Sequence, residues 1–317
     1  MHTEILTLDR ASVEGLLDLG ALMEALADGF RALTRGEVVA PDRNQLAMPD
    51  GAFLLSMPGR MGDGLMAVKV VTLFESNAAA GVPAHLATIG LYDAQTGVCR
   101  AFMDGTYITA IRTSAAAALA CDLLARRDAR VLAIVGSGVQ AEHHLRTFPL
   151  VRNLAEIRIA ARRREQAARI AGGDPRARAV PSVEEAVRGA DVVALVTSAG
   201  QPVIDPGWLR PGAHVSSVGY KPPGGELPRE LARTGHLFVE TRRALAPPPV
   251  GCAELQGADP AAATELGELL LGRAPGRRDD EEITVYKAMG HVVEDIAAAQ
   301  LVLEAARRAG VGTPVSL

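Results

Sequence analysis

Residues 131–141 read VLAIVGSGVQA, and this stretch decides the fold of the middle of the chain. Five aliphatic residues lead into Gly136, Gly138 follows, and Ala141 stands where a helix packs closely against the strand. Gly136 permits a tight turn out of a buried strand, and Gly138 lets backbone N–H groups approach a phosphate without a Cβ in the way. The pattern predicts a strand, a turn and a helix whose positive end binds the pyrophosphate of a dinucleotide.

The segments around this turn alternate between strand and helix patterns. Strands are predicted at 131–135, 156–160, 191–196 and 213–218, and helices at 141–150 and 163–171. A capping-box pattern at Ser182 begins a further helix. Such alternation is typical of the α/β class and predicts a Rossmann-type, doubly wound parallel sheet.

The first third of the chain has a different pattern. A helix is predicted at 21–33, followed by strands at 65–74, 86–92 and 98–103, with residues 93–97 as a hairpin loop. An alanine-rich helix is predicted at 111–125, beginning near Thr109, and a long helix at 285–308, ended by Gly310. We expect this last helix to pack on the N-terminal region. The predicted domains are therefore 1–120 with 290–317, a discontinuous α+β domain, and 121–289, the dinucleotide-binding domain.

Composition excludes several classes of function. The 317 residues are 48% hydrophobic and 22% charged, with a formal net charge of −4, so neither nucleic acid nor an anionic membrane is an expected partner. No signal peptide or membrane span is recognised, and we expect a cytoplasmic protein. Three widely spaced cysteines favour neither a disulfide framework nor zinc, and no metal site is predicted. A small molecule is the expected partner.

Lysine is rare in this chain, which has only Lys69, Lys221 and Lys287 among its 33 basic residues. An ammonium, unlike a guanidinium, loses its proton when it is desolvated or placed beside other cations. Lys69 lies in LMAVKVVTLF, where the neighbours on both faces are apolar. Its side chain either reaches water at a strand edge or serves a function.

Two further residues are candidates for substrate binding. Arg112 is predicted in the first turn of its helix, where the helix dipole does not favour a cation. With Thr113 and Ser114 beside it, Arg112 is placed to bind a carboxylate or phosphate, and the alternative is an ordinary surface arginine. His85 either faces the substrate pocket or is structural.

The residues at the end of the second Rossmann strand indicate which dinucleotide binds. NAD-binding proteins place an Asp or Glu there, about 20 residues past the first glycine, to bind the adenosine ribose. This chain instead has Ala161 followed by Arg162, Arg163 and Arg164. Without a carboxylate to repel a 2′-phosphate, the sequence favours NADP(H), with NAD(H) possible. The alternative is a solvated basic helix start.

Beyond these local patterns, nearly the whole chain resembles the ornithine cyclodeaminase/mu-crystallin family. The resemblance rests on MPG at Met57 and the blocks VKVV, NAAAGVPAHLATIGLYDAQTG, MDGTYITAIRTSAAAALA, GSGVQA, ADVVALVTS, PGAHVSSVG and TVYKAMGHVVEDIAAA. It implies a homodimer built on the discontinuous domain, which binds substrate, and an active site between that domain and the Rossmann domain. The implied catalytic and substrate-carboxylate residues are Arg43, Lys69 and Arg112. The implied cofactor contacts, together with Gly136, Ala161 and Arg163 from the patterns above, are Thr113, Gly138, Val139, Gln140, Arg162, Thr197, Ser198 and Val218.

One departure from the family concerns the reaction. Cyclodeaminases of this family resemble VGxDxPGKxEL after the strand that ends near Val218, and their Asp transfers a proton. Here Lys221 replaces that Asp, and a cation cannot serve as a carboxylate base. The mu-crystallin branch, which also lacks the Asp, resembles a ketimine reductase that uses NADPH.

The sequence therefore predicts an NAD(P)H-dependent reductase of small imino acids, such as the cyclic ketimines pyrroline-2-carboxylate and piperideine-2-carboxylate, or the reverse amino-acid dehydrogenase. Arg112 and Arg43 are expected to hold the substrate carboxylate while Lys69 helps to supply the proton. Two alternatives stay open: an ornithine cyclodeaminase that forms proline and ammonia, and a mu-crystallin-like binding protein without catalysis.

Overall fold

The chain divides into two units, and the first of them is discontinuous. A computed structural model describes residues 4–48 and 51–316. The first unit comprises residues 1–112 and 291–317, and the second comprises residues 113–290. The sequence placed the first boundary at residues 120–121, but the division falls inside a helix, after Arg112. The second boundary, placed before residue 290, falls one residue later.

The elements are numbered here in chain order. The strands are β1 (Glu4–Leu8), β2 (Val38–Val39), β3 (Asn44–Ala47), β4 (Phe53–Met61), β5 (Leu65–Leu73), β6 (His85–Asp93), β7 (Cys99–Asp104), β8 (Val131–Val135), β9 (Glu156–Ala160), β10 (Ala177–Ala179), β11 (Val192–Leu195), β12 (His214–Ser217), β13 (His236–Val239), β14 (Thr264–Glu265), β15 (Thr284–Lys287) and β16 (Thr313–Ser316). The α-helices are α1 (Arg10–Leu16), α2 (Leu19–Thr34), α3 (Gly105–Leu124), α4 (Val139–Val151), α5 (Arg164–Ala171), α6 (Val183–Val187), α7 (Arg229–Thr234), α8 (Leu266–Leu270) and α9 (Val292–Ala309).

The second unit is built on a parallel sheet of order β10-β9-β8-β11-β12-β15-β13-β14. All four residues of β11, β12 and β15 are buried, as expected of strands covered on both faces. The strand order reverses between β8 and β11, which is the switch point where such sheets bind their ligands. The predicted Rossmann-type sheet is confirmed.

The first unit is built on a mainly antiparallel sheet of order β16-β1-β7-β6-β5-β4-β2, with β3 paired to β4. The hairpin predicted at residues 93–97 joins β6 to β7, and Asp93 Oδ1 accepts hydrogen bonds from the backbone of Gln95 and Thr96. One face of β4, β5 and β6 packs against α9. The contact is close: a Cβ on Gly59 of β4 would overlap the side chain of Val292 of α9.

The long helix predicted from residue 285 is wrong at its start. Residues Thr284–Lys287 form β15, paired in parallel with β12 and β13, and α9 begins only at Val292. The pattern of such a short run, rich in β-branched and aromatic residues, fits either a helix or a strand. In this protein it forms a strand, because it pairs with the neighbouring strands of the sheet. Gly290 (φ 73°) separates the two elements.

Helix α3 begins earlier than the sequence indicated. Its first residue is Gly105, because the Asp104 side chain caps the helix by accepting a hydrogen bond from Tyr107 N at 2.8 Å. By length and composition α3 could cross a membrane, but 78% of its apolar window is buried in the structure. That burial is typical of a core helix.

Candidate active site

Lys69 lies at the centre of β5 on the face that packs against α9. Its neighbours across the sheet are Met57 of β4 and Ile89 of β6. The side chain is 1% exposed, and Nζ donates to Asp295 Oδ1 at 2.8 Å and lies 2.7 Å from Oδ2. The ammonium therefore does not reach water at a strand edge. It is paired with a carboxylate of α9 inside the first unit.

Arg112 shares this carboxylate. Its Nε donates to Asp295 Oδ1 at 3.2 Å, and a terminal nitrogen donates to Glu294 Oε2 at 3.0 Å. All three side chains are at most 5% exposed. Arg112 does not lie in the first turn of α3, since that helix starts seven positions earlier at Gly105. The dipole argument for Arg112 was therefore wrong, and Glu294 and Asp295 hold the guanidinium.

Burial and neighbouring charges shift the titration of this group. Burial, and then repulsion by Arg112, lower the pKa of Lys69 to about 8, although attraction to Asp295 opposes the shift. His85, at the start of β6, has its pKa lowered to about 4 by burial and then by the charges of Lys69 and Arg112. Near neutral pH, His85 is therefore neutral and Lys69 is mostly protonated.

His291 belongs to the same group, although sequence reasoning missed it. It caps α9: Nδ1 accepts from Val293 N at 3.2 Å, and Glu294 Oε1 accepts from His291 N at 2.5 Å. Burial lowers the pKa of His291 to about 4, and the charge of Arg43 contributes to this shift. The signal was the capping box formed by His291 and Glu294, which was hidden by the prediction of one helix from residue 285.

In the second unit, the glycine-rich turn has the geometry that a dinucleotide needs. Gly136 has φ 135°, and a Cβ there would come within 2.6 Å of the Val196 carbonyl oxygen. Gly138 caps α4 without a side-chain hydrogen bond, and a Cβ there would meet nothing within 4 Å. The space beside Gly138 is open to a ligand approaching the helix N-terminus.

The residues that follow in α4 also suit a ligand. Val139 is 55% exposed, and the buried Gln140 Oε1 has no hydrogen-bond partner among the described residues. An unpaired buried amide oxygen is costly, so a donor from a bound molecule would stabilise it. The open backbone at Gly138 and the start of α4 therefore fit a dinucleotide pyrophosphate, whose oxygens only accept, whereas the Gln140 oxygen suits a donor such as a ribose hydroxyl.

The proposed adenosine end lies at the carboxyl end of β9. Gly136 N donates to Ala160 O at 2.8 Å, which brings the two strand ends together. Ala161 is half-buried, whereas Arg162 and Arg163 are exposed at the start of α5. The structure thus presents guanidinium groups and no carboxylate over residues 161–164.

The remaining cofactor candidates lie around the ends of β11 and β12 or in α3. Thr197 donates to the buried Glu226 through its backbone N at 2.6 Å and its hydroxyl at 2.7 Å. Val218 follows β12 and is half-buried, Ser198 is exposed, and Thr113 is buried in α3. Glu226 was not anticipated, because a single Glu in a Gly-Pro-rich loop carries no periodic signal.

Lys221 lies in the loop that follows β12, where it forms an isolated bridge with Gly224. Among residues 4–48 and 51–316, no group of three or more His, Cys, Asp or Glu side chains is arranged to hold a metal ion.

Comparison with known proteins agrees with this architecture. The model of the "Ornithine cyclodeaminase/mu-crystallin family" matches residues 3–310. Ketimine reductase mu-crystallin of Mus musculus is 38% identical over 288 residues, which cover 89% of this chain and 90% of that protein.

Two solved structures share the fold over nearly their full length. Thermococcus litoralis Delta(1)-pyrroline-2-carboxylate reductase, in complex with NADH and L-proline, is 33% identical with a TM-score of 0.92, covering 98% of this chain and 100% of that one. An archaeal alanine dehydrogenase dimer with bound NAD is 29% identical with a TM-score of 0.87, covering 98% and 99%. On the family match and the shared fold, the chain belongs to the ornithine cyclodeaminase/mu-crystallin family.

Proposed function

We propose that this protein is an NAD(P)H-dependent reductase of small imino acids, with cyclic ketimines such as pyrroline-2-carboxylate as the substrate class. The observation that carries the proposal is the buried Lys69 ammonium, held by Asp295 beside the Arg112 guanidinium. The mouse relative is named a ketimine reductase, and the Thermococcus relative a pyrroline-2-carboxylate reductase. The reverse reaction, oxidation of the amino acid, uses the same groups.

Imine reduction needs a hydride at carbon and a proton at nitrogen. A bound nicotinamide dinucleotide supplies the hydride. Lys69 supplies the proton, because its pKa of about 8 leaves the ammonium charged at neutral pH and more acidic than an ordinary lysine. Asp295 orients the ammonium, since both of its oxygens lie within 2.8 Å of Nζ.

Arginine side chains bind the substrate carboxylate in this proposal. Glu294 and Asp295 fix the plane of the Arg112 guanidinium through two different nitrogens, so its orientation is set before substrate arrives. Arg43 adds a second positive charge. This charge contributes to the lowered pKa of His291, so Arg43 lies near the group formed by Lys69, Arg112 and His291. Planar guanidinium groups suit a carboxylate, and holding it fixes the face of the C=N bond.

We also propose that NADP(H) is preferred. The support is the pair of exposed side chains of Arg162 and Arg163, with no acidic residue at positions 161–164 after β9. A 2′-phosphate would be attracted to these groups, whereas an acidic residue would repel it.

A homodimer formed through the first unit is the proposed assembly. The face of the sheet opposite α9 carries apolar side chains that stay exposed, among them Leu46, Leu86 and Phe102. The archaeal alanine dehydrogenase is described as a dimer. The molar mass in solution, measured by light scattering, should be twice that of the chain. Replacing Phe102 by Asp should shift the protein towards monomer, whereas a monomeric wild type would refute the assembly.

The function is tested by following oxidation of NADPH and NADH with a panel of cyclic and acyclic imino acids. Steady consumption with pyrroline-2-carboxylate or piperideine-2-carboxylate supports the proposal. Lys69→Met should abolish this turnover while the dinucleotide still binds, and full activity of that variant would remove Lys69 from the mechanism. Proline and ammonia formed from ornithine without added reductant would identify a cyclodeaminase instead. Absence of turnover across the panel would favour a binding protein.

A further inference from the structure

Four buried side chains form one cluster at the carboxyl ends of β12 and β15 in the second unit. Ser217 ends β12 and Lys287 ends β15, while Glu226 comes from the loop after β12 and Glu254 from a short 3-10 helix between β13 and β14. Lys287 Nζ donates to Glu254 Oε1 at 3.0 Å and to Ser217 Oγ at 3.1 Å, and Ser217 Oγ donates to Glu226 Oε1 at 2.9 Å. These four residues, called here the Lys287 cluster, are each at most 3% exposed.

Glu226 joins the two loops that the sequence assigned to the cofactor. Its Oε2 accepts from the backbone N and hydroxyl of Thr197, after β11, and its Oε1 accepts from Gly219 N at 2.7 Å, after β12. Only donors surround the two oxygens in these contacts, which is the arrangement of an ionised carboxylate. A Cβ on Gly219 would lie 2.6 Å from Glu226 Cδ, so the loop closes tightly on this side chain.

With Glu226 and Glu254 both ionised, as carboxyl groups ordinarily are at neutral pH, the cluster carries one net negative charge. Burial lowers the pKa of Lys287, but attraction to Glu254 and the other negative groups around it raises that pKa overall, so Lys287 stays protonated. One ammonium faces the two carboxylates of Glu226 and Glu254. Water screens this excess charge only weakly, because all three charged groups are buried.

The position of the cluster relates this charge to one end of the dinucleotide. In a doubly wound sheet the two halves of a dinucleotide bind on either side of the switch point. A dinucleotide bound with its adenosine over β8 and β9 would place its nicotinamide over β11 and β12, whose loops Glu226 holds. The oxidised nicotinamide ring is a cation and the reduced ring is neutral.

We propose that the Lys287 cluster positions the two loops that receive the nicotinamide and favours the oxidised ring over the reduced ring through its net negative charge. A protein that binds the oxidised form more tightly makes the bound reduced form a better hydride donor. The cluster thus biases the site towards imine reduction. This inference rests on dinucleotide binding in the proposed function.

Glu254→Gln tests the charge without disturbing the hydrogen bonds. Glu254 Oε1 accepts from Lys287 Nζ and Leu227 N, whereas Oε2 accepts no hydrogen bond among the described residues. An amide can place its oxygen at Oε1 and its NH₂ at Oε2, so the variant removes one charge from the cluster. Glu184→Gln, on the half-exposed surface of α6, removes the same charge elsewhere and is the matched control.

The readout is the dissociation constant of the purified full-length protein for NADP⁺ and for NADPH, and in parallel for NAD⁺ and NADH, by calorimetry. We expect Glu254→Gln to weaken binding of the oxidised form about three- to tenfold relative to the reduced form, and Glu184→Gln to leave the ratio unchanged. Equal weakening of both forms by Glu254→Gln, or an unchanged ratio, would overturn the charge role.

Glu226→Gln tests whether the cluster positions the two loops. Both oxygens of Glu226 accept hydrogen bonds, so a glutamine there must place its NH₂ against donors at one of the two positions and lose those bonds. We expect both dinucleotide forms to bind at least tenfold more weakly. If that variant does not fold, Ser217→Ala removes the hydroxyl between Glu226 and Lys287 and should weaken both forms several-fold. Wild-type affinity in the folded variant would overturn the positioning role.

The binding measurements are separable from the proposed reaction. A wild-type protein that binds the dinucleotides but reduces no imino acid would contradict the reductase while leaving the cluster's effect measurable. A wild-type protein that binds neither dinucleotide pair would overturn the inference itself.

Discussion

Replacing Asp295 by Asn should shift the pH profile of imine reduction to lower pH, in addition to any overall loss of rate. The Asp295 carboxylate lies 2.7–2.8 Å from Lys69 Nζ, and its charge opposes the lowering of the Lys69 pKa by burial and Arg112. Asn keeps the shape and one oxygen acceptor but removes the charge. The pKa of Lys69 should then fall below its present value of about 8, and an opposite charge this close is worth about one to three units.

The size of the effect follows from the protonated fraction. If the pKa falls by about two units, the ammonium fraction at about pH 7 drops from about 90% to about 10%, so the rate of reduction falls about tenfold. At about pH 5 the fraction recovers to about 90%, and the rate should recover with it. His85 and His291 do not contribute to the change in rate between about pH 5 and about pH 7, because their pKa values of about 4 keep them mostly neutral in that range.

The assay is the initial rate of NADPH oxidation by a cyclic ketimine between about pH 5 and about pH 10. In the wild type the reductive rate should fall as the pH rises through the Lys69 pKa of about 8. Oxidation of the amino acid needs the neutral amine as base, so its rate should rise through the same pH. Asp28→Asn, on the exposed surface of α2, is the matched control. A uniformly slower Asp295→Asn enzyme with an unmoved limb would refute the electrostatic reasoning.

Three further predictions concern the second unit. Arg162→Asp combined with Arg163→Ser should shift the preference towards NADH, and an unchanged ratio of kcat/KM values for the two cofactors would contradict the 2′-phosphate assignment. Gly138→Ala should weaken dinucleotide binding at an unchanged melting temperature, because its Cβ meets no protein atom within 4 Å, whereas Gly136→Ala should lower the melting temperature. Burial lowers the pKa of His144 to about 4, so the free energy of unfolding should fall as the pH falls from about 6.5 towards that value. In urea denaturation, His144→Leu should make this pH-dependent decrease smaller by about 3 kcal/mol.

The parallel half of the fold was predictable because its signal is local. The strands β8 and β11 are short runs of buried aliphatic residues, and α4 and α5 follow β8 and β9 within a few residues, so periodicity and turn chemistry point to one topology. The error at residues 284–287 shows the limit of this reasoning. A four-residue strand that pairs only with distant β12 and β13 is set by tertiary contacts, and its own residues suit a helix extension equally well.

The candidate site was predictable only in part, for a physical reason. Lys69 stands out because it is a cation among apolar neighbours, and that conflict is visible in the sequence itself. Arg112 was singled out by its supposed place in the first turn of a helix, which the structure contradicts. Asp295 and Glu294 satisfy these cations, yet they lie about 180 to 230 positions away in a helix whose own pattern explains them as ordinary polar residues. Which carboxylate meets a buried cation depends on how α9 packs on the sheet.

The two buried lysines show why lysine is retained in a chain that otherwise uses arginine. Lys69 has an arginine as neighbour and one shared carboxylate, and its pKa is lowered to about 8, whereas Lys287 has two carboxylates nearby and its pKa is raised. The first group is suited to transfer a proton and the second to remain charged. A guanidinium would fail in both places: at 69 it could not lose its proton, and at 287 its planar fork would not fit a pocket in which one nitrogen meets Ser217, Gly219 and Glu254. Lysine therefore serves two opposite electrostatic roles here, and the neighbouring charges, an arginine beside Lys69 and two carboxylates beside Lys287, distinguish them.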